Sequence, residues 1–247
     1  MTGDGVNDVM ALKQADLGIA MGEGSAAARS IADLVLTDNA FATLPVVVDE
    51  GRKVINNVER VSNLFLTKSA YAIVLTVAVA VASMPFPLLP RQLTLIGTFS
   101  IGLPGFFLAL SPEVDRLRPG FLRRVLSFAL PAGVIAAAMA MVAFVYTRNH
   151  FGLPEARTMT TLTLLAIGLV VLLASSRPLH PWKIGLAVGM AVSYALICGL
   201  WVTRDYFELS YVADAGVWGV GVGASLLGGV LIVALTALLD RTERTGA

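Results

Sequence analysis

The chain has 247 residues, 56% of them hydrophobic and only 14% charged, with a mean hydropathy of +0.78 and a formal net charge of +1. A soluble domain carries roughly 25% charged residues, so an ordinary globular protein is excluded, and the absence of a large Lys/Arg cluster excludes a nucleic-acid partner. The charge is uneven: residues 1–68 hold nine Asp and Glu and six Lys and Arg, leaving eight acids and twelve bases for the other 179, the pattern of a polar head on a membrane protein.

Residues 1–50 read as loop, helix, strand, helix, strand, helix. The helices are predicted at Val9–Lys13 and Ser25–Ala32, and the short buried strands at Leu17–Met21 and Leu34–Leu36. Such alternation implies a parallel sheet covered by helices. Two short strands make an incomplete α/β core, whose remainder is expected upstream or on another chain.

The opening string Thr2-Gly3-Asp4-Gly5-Val6-Asn7-Asp8 carries the candidate chemistry. Gly3 and Gly5 permit a tight turn and close backbone approach, while Asp4 and Asp8 stand one helical turn apart with Asn7 between them. Two carboxylates so close repel unless a cation lies near. Hard oxygen ligands suit Mg²⁺, which takes one or two protein carboxylates together with phosphate oxygens and waters. The helix that follows can turn its N-terminal amides toward an anion. The bland alternative is a capped loop with no ligand.

A stalk helix is predicted over residues 49–68. Val54, Val58, Val61 and Phe65 recur at helical spacing, with Arg52, Lys53, Glu59 and Arg60 elsewhere on the helix. No Gly or Pro interrupts Lys53–Met84, so one helix is expected to run from the head into the first span. The alternative is an amphipathic linker lying on the membrane surface, with a break near Ser62–Leu64.

A hydrocarbon core of about 30 Å needs roughly 20 apolar residues per span. Six runs qualify: Ser69–Leu88, Leu93–Leu110, Val125–Thr147, Thr160–Ser175, Ile184–Val202 and Val217–Leu239, none with Asp, Glu, Lys or Arg in its interior. Pro85, Pro87 and Pro90 end the first helix early. Basic residues favour the loop Pro112–Arg124 (Arg116, Arg118, Arg123, Arg124), the loop Arg177–Lys183, and the tail with Arg241 and Arg244. The alternate loops hold only Arg91, then Arg148 and Arg157, then Arg204, so both termini are expected in the cytoplasm. Gly185 with Gly189 and Gly219 with Gly223 are expected at close helix crossings. Trp182, Trp201 and Trp218 fall at span ends, as an interfacial belt would. His150 and His180 are expected to be solvated rather than metal ligands, and the lone Cys198 cannot form an internal disulfide.

The strings Thr2 to Asp8, Ala11-Leu12-Lys13, Ala15-Asp16-Leu17-Gly18-Ile19-Ala20-Met21-Gly22 and Ala32-Asp33-Leu34-Val35-Leu36-Thr37-Asp38-Asn39 resemble the hinge end of the phosphorylation domain of P-type cation ATPases, within the haloacid dehalogenase (HAD) superfamily. Soluble phosphatases of that superfamily share similar strings. The continuation separates them: Glu50-Gly51-Arg52-Lys53-Val54-Ile55-Asn56-Asn57-Val58 resembles the family's stalk, and six spans follow, as in the C-terminal membrane half of the ion pumps.

The fold class implied is mainly α. It comprises an incomplete α/β, HAD-like Rossmannoid segment (1–48), a cytoplasmic stalk helix (49–68), a six-helix transmembrane bundle (69–239) and a cytoplasmic tail (240–247), in the plasma membrane. By the resemblance, Asp4 is the Mg²⁺ ligand, Asn7 and Asp8 line the phosphoryl side of the same pocket, Gly3 and Gly5 shape it, and ATP supplies the energy. The family's nucleophile string Asp-Lys-Thr-Gly and its Thr-Gly-Glu string do not occur here, nor do its nucleotide-binding domain, its upstream lysine and its proline-broken, ion-binding helix.

The implied function is the C-terminal part of an ATP-driven cation pump, inactive on its own, with calcium or another divalent ion favoured. Its partners would be the lipid bilayer, the transported metal cation and the missing N-terminal part. Met1 lies where the family often has a methionine inside a strand, so a misplaced start, a split gene or a truncated assembly would each yield this chain. One alternative is a non-catalytic six-helix membrane protein or subunit with a remnant phosphorylation domain. Another is a membrane-tethered phosphatase, whose nucleophile is missing as well.

Calcium pumps of the family carry Asn and Asp in the second of these spans, before a Gly-Leu-Pro. In Gly97-Thr98-Phe99-Ser100-Ile101-Gly102-Leu103-Pro104 those positions hold Gly97 and Ile101. An intramembrane carboxylate is the usual sign of a cation path. Without one, the candidate ligands are carbonyls freed around Pro104 and the neutral oxygens of Tyr71, Thr98 and Ser100, although Ser and Thr in membrane helices commonly bond their own backbone.

Overall fold

The structure is a computed structural model and describes residues 1–112 and 120–245, with side chains through Thr242. It divides into a head, residues 1–54, and a helical unit that begins at Ile55.

The head contains three parallel strands, β1 (Thr2–Gly3), β2 (Ile19–Met21) and β3 (Leu34–Leu36), in the order β1-β2-β3. Sequence reasoning expected two. The missed strand is two residues long, too short to show alternation, and is fixed by pairing: Thr2 lies opposite Ile19, and Met1 O accepts from Ile19 N at 2.9 Å. Helices α1 (Val9–Gln14) and α2 (Ala26–Ile31) cover the sheet through Leu12 and Ala28, which pack with Ala20. Ser25 Oγ caps α2 by accepting from Ala28 N at 3.1 Å. β2 starts two residues later than expected because Gly18 N donates to the Asp33 carboxylate at 2.8 Å.

Helix α3 (Leu44–Val81) has 38 residues, ~57 Å at 1.5 Å per residue, and is unbroken through Ser62–Leu64. Its buried face is not the Val54–Phe65 stripe. Val54, Val58 and Phe65 are exposed, and Asn57, Arg60, Leu64, Thr67, Tyr71, Leu75 and Val79 turn inward. Polar satisfaction sets this phase. Asn57 Nδ2 donates to the carbonyls of Ala109 (3.0 Å) and Ser111 (3.3 Å), and Arg60 donates to Asn57 Oδ1 at 3.3 Å. Buried polar groups must find hydrogen-bond partners, and that need, rather than apolar spacing, turns this face inward.

The second span is α4 (Pro90–Gly97), one π-helical turn (Thr98–Gly102) and α5 (Leu103–Ala109). Pro104 has no N–H and its ring displaces the carbonyl four residues back, on Ser100. The ladder therefore widens, and Leu103 N bonds Thr98 O. The unwinding expected near Pro104 takes the form of this widened turn, and the segment stays helical.

Helices α6 (Phe121–His150), α7 (Leu153–Ser175) and α10 (Ala215–Thr245) pack on one another, α8 (Pro181–Gly199) packs on α7, and the short α9 (Trp201–Tyr206) follows. The fourth helix starts seven residues before the predicted Thr160, and the fifth ends at Gly199, ahead of the predicted Val202. Among the described residues six helices are long and apolar enough to cross a membrane, making the chain an integral membrane protein. The loop arginines Arg116 and Arg118, and the Arg244 side chain, lie outside the described residues.

Membrane helices associate through close van der Waals packing of small residues, and α6 buries Ala129, Ala132, Ala136, Ala137, Ala140 and Ala143. The close approaches occur at Gly133, beside Ala70 and Thr67, at Gly168, beside Ser100, and at Gly228, beside Ile167. They do not occur at Gly185, Gly189, Gly219 or Gly223, where an added Cβ meets nothing within 4 Å. The four-residue spacing of those glycines misled because their faces point away from the bundle.

Lys183 is 1% exposed, and its Nζ donates to the carbonyls of Ser176 (2.8 Å) and Pro178 (2.9 Å), closing the turn between α7 and α8. Lys183→Met removes the donor and leaves those carbonyls short of a partner. A loss of about 2–3 kcal/mol is expected in detergent unfolding, with Lys183→Arg recovering part of it. A Lys183→Met chain as stable as the wild type would overturn this role.

Candidate functional site

The three strands of the head end on one side, and three loops meet there. In open parallel sheets ligands bind at the carboxyl ends of strands. Asp4 follows β1 directly, Gly22–Gly24 follow β2, and Thr37–Asn39 follow β3. The loops are laced together: Ser25 N donates to Asp4 O (2.7 Å), Gly22 N to Leu36 O (2.8 Å) and Glu23 N to Asn39 Oδ1 (3.0 Å). Arg29 reaches Gly22 O at 3.1 Å. Ser25, Arg29 and Asn39 were not singled out from the sequence, because their role lies in contacts between segments rather than in a local motif.

Within the first loop the two carboxylates differ. Asp8 Oδ2 accepts from the backbone amides of Asp4 (3.1 Å) and Gly5 (3.0 Å), so Asp8 folds back and holds the turn. Gly3 is needed there, since a Cβ at that position would lie 2.6 Å from Asp8 Cβ. A Cβ at Gly5 would lie 3.5 Å from Asp8 Oδ2, an ordinary contact. Asp4 is exposed, and its carboxylate has no hydrogen bond among the described residues. Asn7 is exposed on the 3₁₀ turn Val6–Asp8 that leads into α1. The structure thus brings Asp4, Asn7 and Asp8 into one turn, with one carboxylate engaged by the backbone and the other open.

This donor set fits Mg²⁺, which takes one or two protein carboxylates and completes its shell with phosphate and water. It does not form a closed metal cage: among the described residues no group of three or more His, Cys, Asp and Glu gathers in metal-binding geometry. Asp38, after β3, accepts from the Thr43 hydroxyl and from Ala40 N, and these bonds hold its carboxyl below the ordinary 3.8. It closes the last loop.

In the membrane unit, Tyr71 and Ser100 line one small cavity together with Thr67 and Lys68. Thr98 does not join them: it is exposed, and its hydroxyl donates to Thr94 O at 2.9 Å. Ser100 Oγ donates to Ile96 O at 2.6 Å, bonding its own helix. Sequence reasoning missed Lys68 because it began the first span at Ser69. The inward positions 57, 60, 64, 67, 71, 75 and 79 carry the helical spacing that could have placed Lys68 at the edge of that face.

The head defines a class. Residues 1–43 match the haloacid dehalogenase-like hydrolase family, and six candidate membrane helices follow among the described residues. Over nearly its whole length the chain resembles cation-transporting P-type ATPases. It is 41% identical over 250 residues to the calcium-transporting ATPase CtpE of Mycolicibacterium smegmatis, covering 95% of this chain and 32% of that protein. It is 39% identical over 256 residues to the calcium-transporting ATPase CtpE of Mycobacterium tuberculosis, covering 98% of this chain and 32% of that protein. A probable cation-transporting ATPase of Streptococcus pneumoniae is 34% identical over 199 residues, 76% of this chain and 25% of its own length. The chain therefore spans about a third, or less, of the length of these relatives.

Proposed function

We propose that this chain supplies the metal- and phosphate-binding end of the phosphorylation domain, together with six membrane helices, of an ATP-driven cation pump. The observation that carries this is similarity that covers 95–98% of the chain, head and helices together, to proteins described as calcium-transporting ATPases. Calcium is the favoured ion, from the description of the first of those relatives. The chain would lie in the plasma membrane with both termini in the cytoplasm.

In this function Asp4 gives a carboxylate oxygen to Mg²⁺, Asp8 holds the turn that presents it, and Asn7 faces the phosphoryl group. When bound, the metal neutralises charge on the transferred phosphoryl group. The nucleophilic aspartate is to come from a segment outside this chain, since Asp-Lys-Thr-Gly does not occur in it.

Two measurements test the proposal. Membranes carrying this chain joined to its in-frame upstream segment should take up a cation in an ATP-dependent manner when Ca²⁺, Mg²⁺, Mn²⁺ and monovalent ions are compared. Uptake of none of them would sink the pump. The 247-residue chain alone should form no acid-stable, hydroxylamine-labile phosphoenzyme from ATP, and finding one would show that the chain holds its own nucleophile.

A further inference from the structure

At the end of the bundle where α4 and α7 begin, residues 207–214 run without regular secondary structure between α9 and α10. Their contacts make them a strap. Ser210 N donates to Thr158 Oγ1 on α7 at 2.9 Å, and Trp218 Nε1 on α10 donates to Val212 O at 2.8 Å. Leu209 and Val212 are its buried side chains, and Leu209 packs with Leu95 of α4, Leu165 of α7 and Tyr194 of α8. The polar hold on the second span lies at the start of α4. Gln92 is fully buried. Its Nε2 donates to Phe207 O (3.4 Å) and Glu208 O (3.3 Å), and its Oε1 accepts from Leu89 N (3.0 Å). Arg91 adds a bond to Tyr206 O at 2.6 Å and an ion pair with Glu208 at 3.2 Å, but the two side chains are 44% and 53% exposed, where such pairs contribute little. Bonds lost from a buried amide cost more, so Gln92 is the stronger pin.

We propose that residues 207–214 are a latch on the second span, pinned by Gln92, that opens as a unit while α6, α7 and α10 stay packed. Closed, as in this structure, it fixes the start of α4 against α7 and α10. The other end of α4 runs into the widened turn Thr98–Gly102, where the helical ladder is already displaced. Release of the strap therefore leaves an eight-residue half-helix free to move about that turn. Two features favour opening of the strap by itself. Segments with few buried apolar side chains open locally, well before the whole fold does. Glu208, at φ +50°, also holds a left-handed conformation that a non-glycine residue keeps only where its surroundings impose it, so release relieves strain. The latch goes beyond the proposed function and does not depend on it.

The test is hydrogen–deuterium exchange of the full 247-residue chain in lipid nanodiscs, read by mass spectrometry. In wild type the amides of Leu209 and Ser210, bonded to Arg204 O and Thr158 Oγ1, should exchange at least about tenfold faster than those in the middle of α6 and α7, as independent opening requires. Gln92→Leu removes both bonds to the strap. Exchange over residues 207–214 and over α4 should rise by about a further tenfold, with α6 and α7 unchanged within about twofold. Gln92→Glu keeps the acceptor for Leu89 N while its carboxylate gives up both donors to the strap, so it should open the latch in the same way. It is also the variant measured if Gln92→Leu does not fold, as judged by gel filtration and melting. A rise spread equally over α6, α7 and α10 overturns the latch by making Gln92 a general packing residue. So does a strap that opens while α4 stays protected, a strap unchanged by both substitutions, or a wild-type strap that exchanges in step with α6. These readouts use neither ATP nor a transported ion, whereas the pump fails only on ATP-dependent transport, so the two failures are distinguishable.

Discussion

Gly133→Ala is expected to destabilise the membrane unit by about 2 kcal/mol, the balance of two opposed effects. Alanine in place of glycine gains up to about 1 kcal/mol of helix propensity. Against this, the new Cβ would overlap Ala70 Cβ and stand 3.0 Å from both Thr67 O and Tyr71 N. Two of these neighbours are backbone atoms on α3, which cannot swing aside as a side-chain tip would, so overpacking at the upper end of its range, about 3 kcal/mol, applies. Gly189→Ala and Gly219→Ala meet nothing within 4 Å and should be neutral or slightly stabilising. Unfolding of the three variants in detergent micelles gives the comparison. If Gly133→Ala is no worse than Gly189→Ala, helices α3 and α6 cross less tightly than the structure has them.

That contrast also marks how far the sequence could be followed. The presence of six apolar helices, the long helix from head to membrane and the alternation of strands and helices follow from composition and period, and each is local. The faces are not local. Val54, Val58 and Phe65 have the spacing of a buried stripe yet point outward, because Asn57 and Arg60 must reach the carbonyls of Ala109, Ser111 and Arg177. Burial in a membrane unit is decided by which polar groups need partners more than by which residues are apolar. The Glu59–Arg124 pair shows the same: two charges 65 residues apart join at 2.6 and 3.0 Å between α3 and α6. Lys68 escaped notice for a related reason, since a span defined by its longest apolar run starts just past the residue that breaks the run. In the head, the string Thr2 to Asp8 was legible as one turn, but the division of labour inside it depends on which carboxylate the backbone amides engage.

This division gives the last expected result, in a pump that carries this chain. Asp8→Ala removes the acceptor of two amide hydrogen bonds and empties the space against which Gly3 packs. Charge-assisted bonds contribute about 1.5–3 kcal/mol, so the head should lose stability, and a turn displaced by about 1 Å costs on the order of 10²-fold in turnover. Asp4→Asn should behave differently. Its carboxylate makes no hydrogen bond among the described residues, so melting should be unchanged within about 0.5 kcal/mol, as for other exposed substitutions. Its activity should nevertheless fall by at least as much as that of Asp8→Ala, because an amide is a weaker Mg²⁺ ligand than a carboxylate. Raised Mg²⁺ should recover part of the Asp4→Asn activity and none of the Asp8→Ala loss. Melting curves paired with Mg²⁺ titrations of ATPase rate separate the two roles. If the Asp4→Asn pump keeps wild-type rate and Mg²⁺ dependence, the metal is held elsewhere; if Asp8→Ala keeps both stability and rate, the turn does not need its clasp.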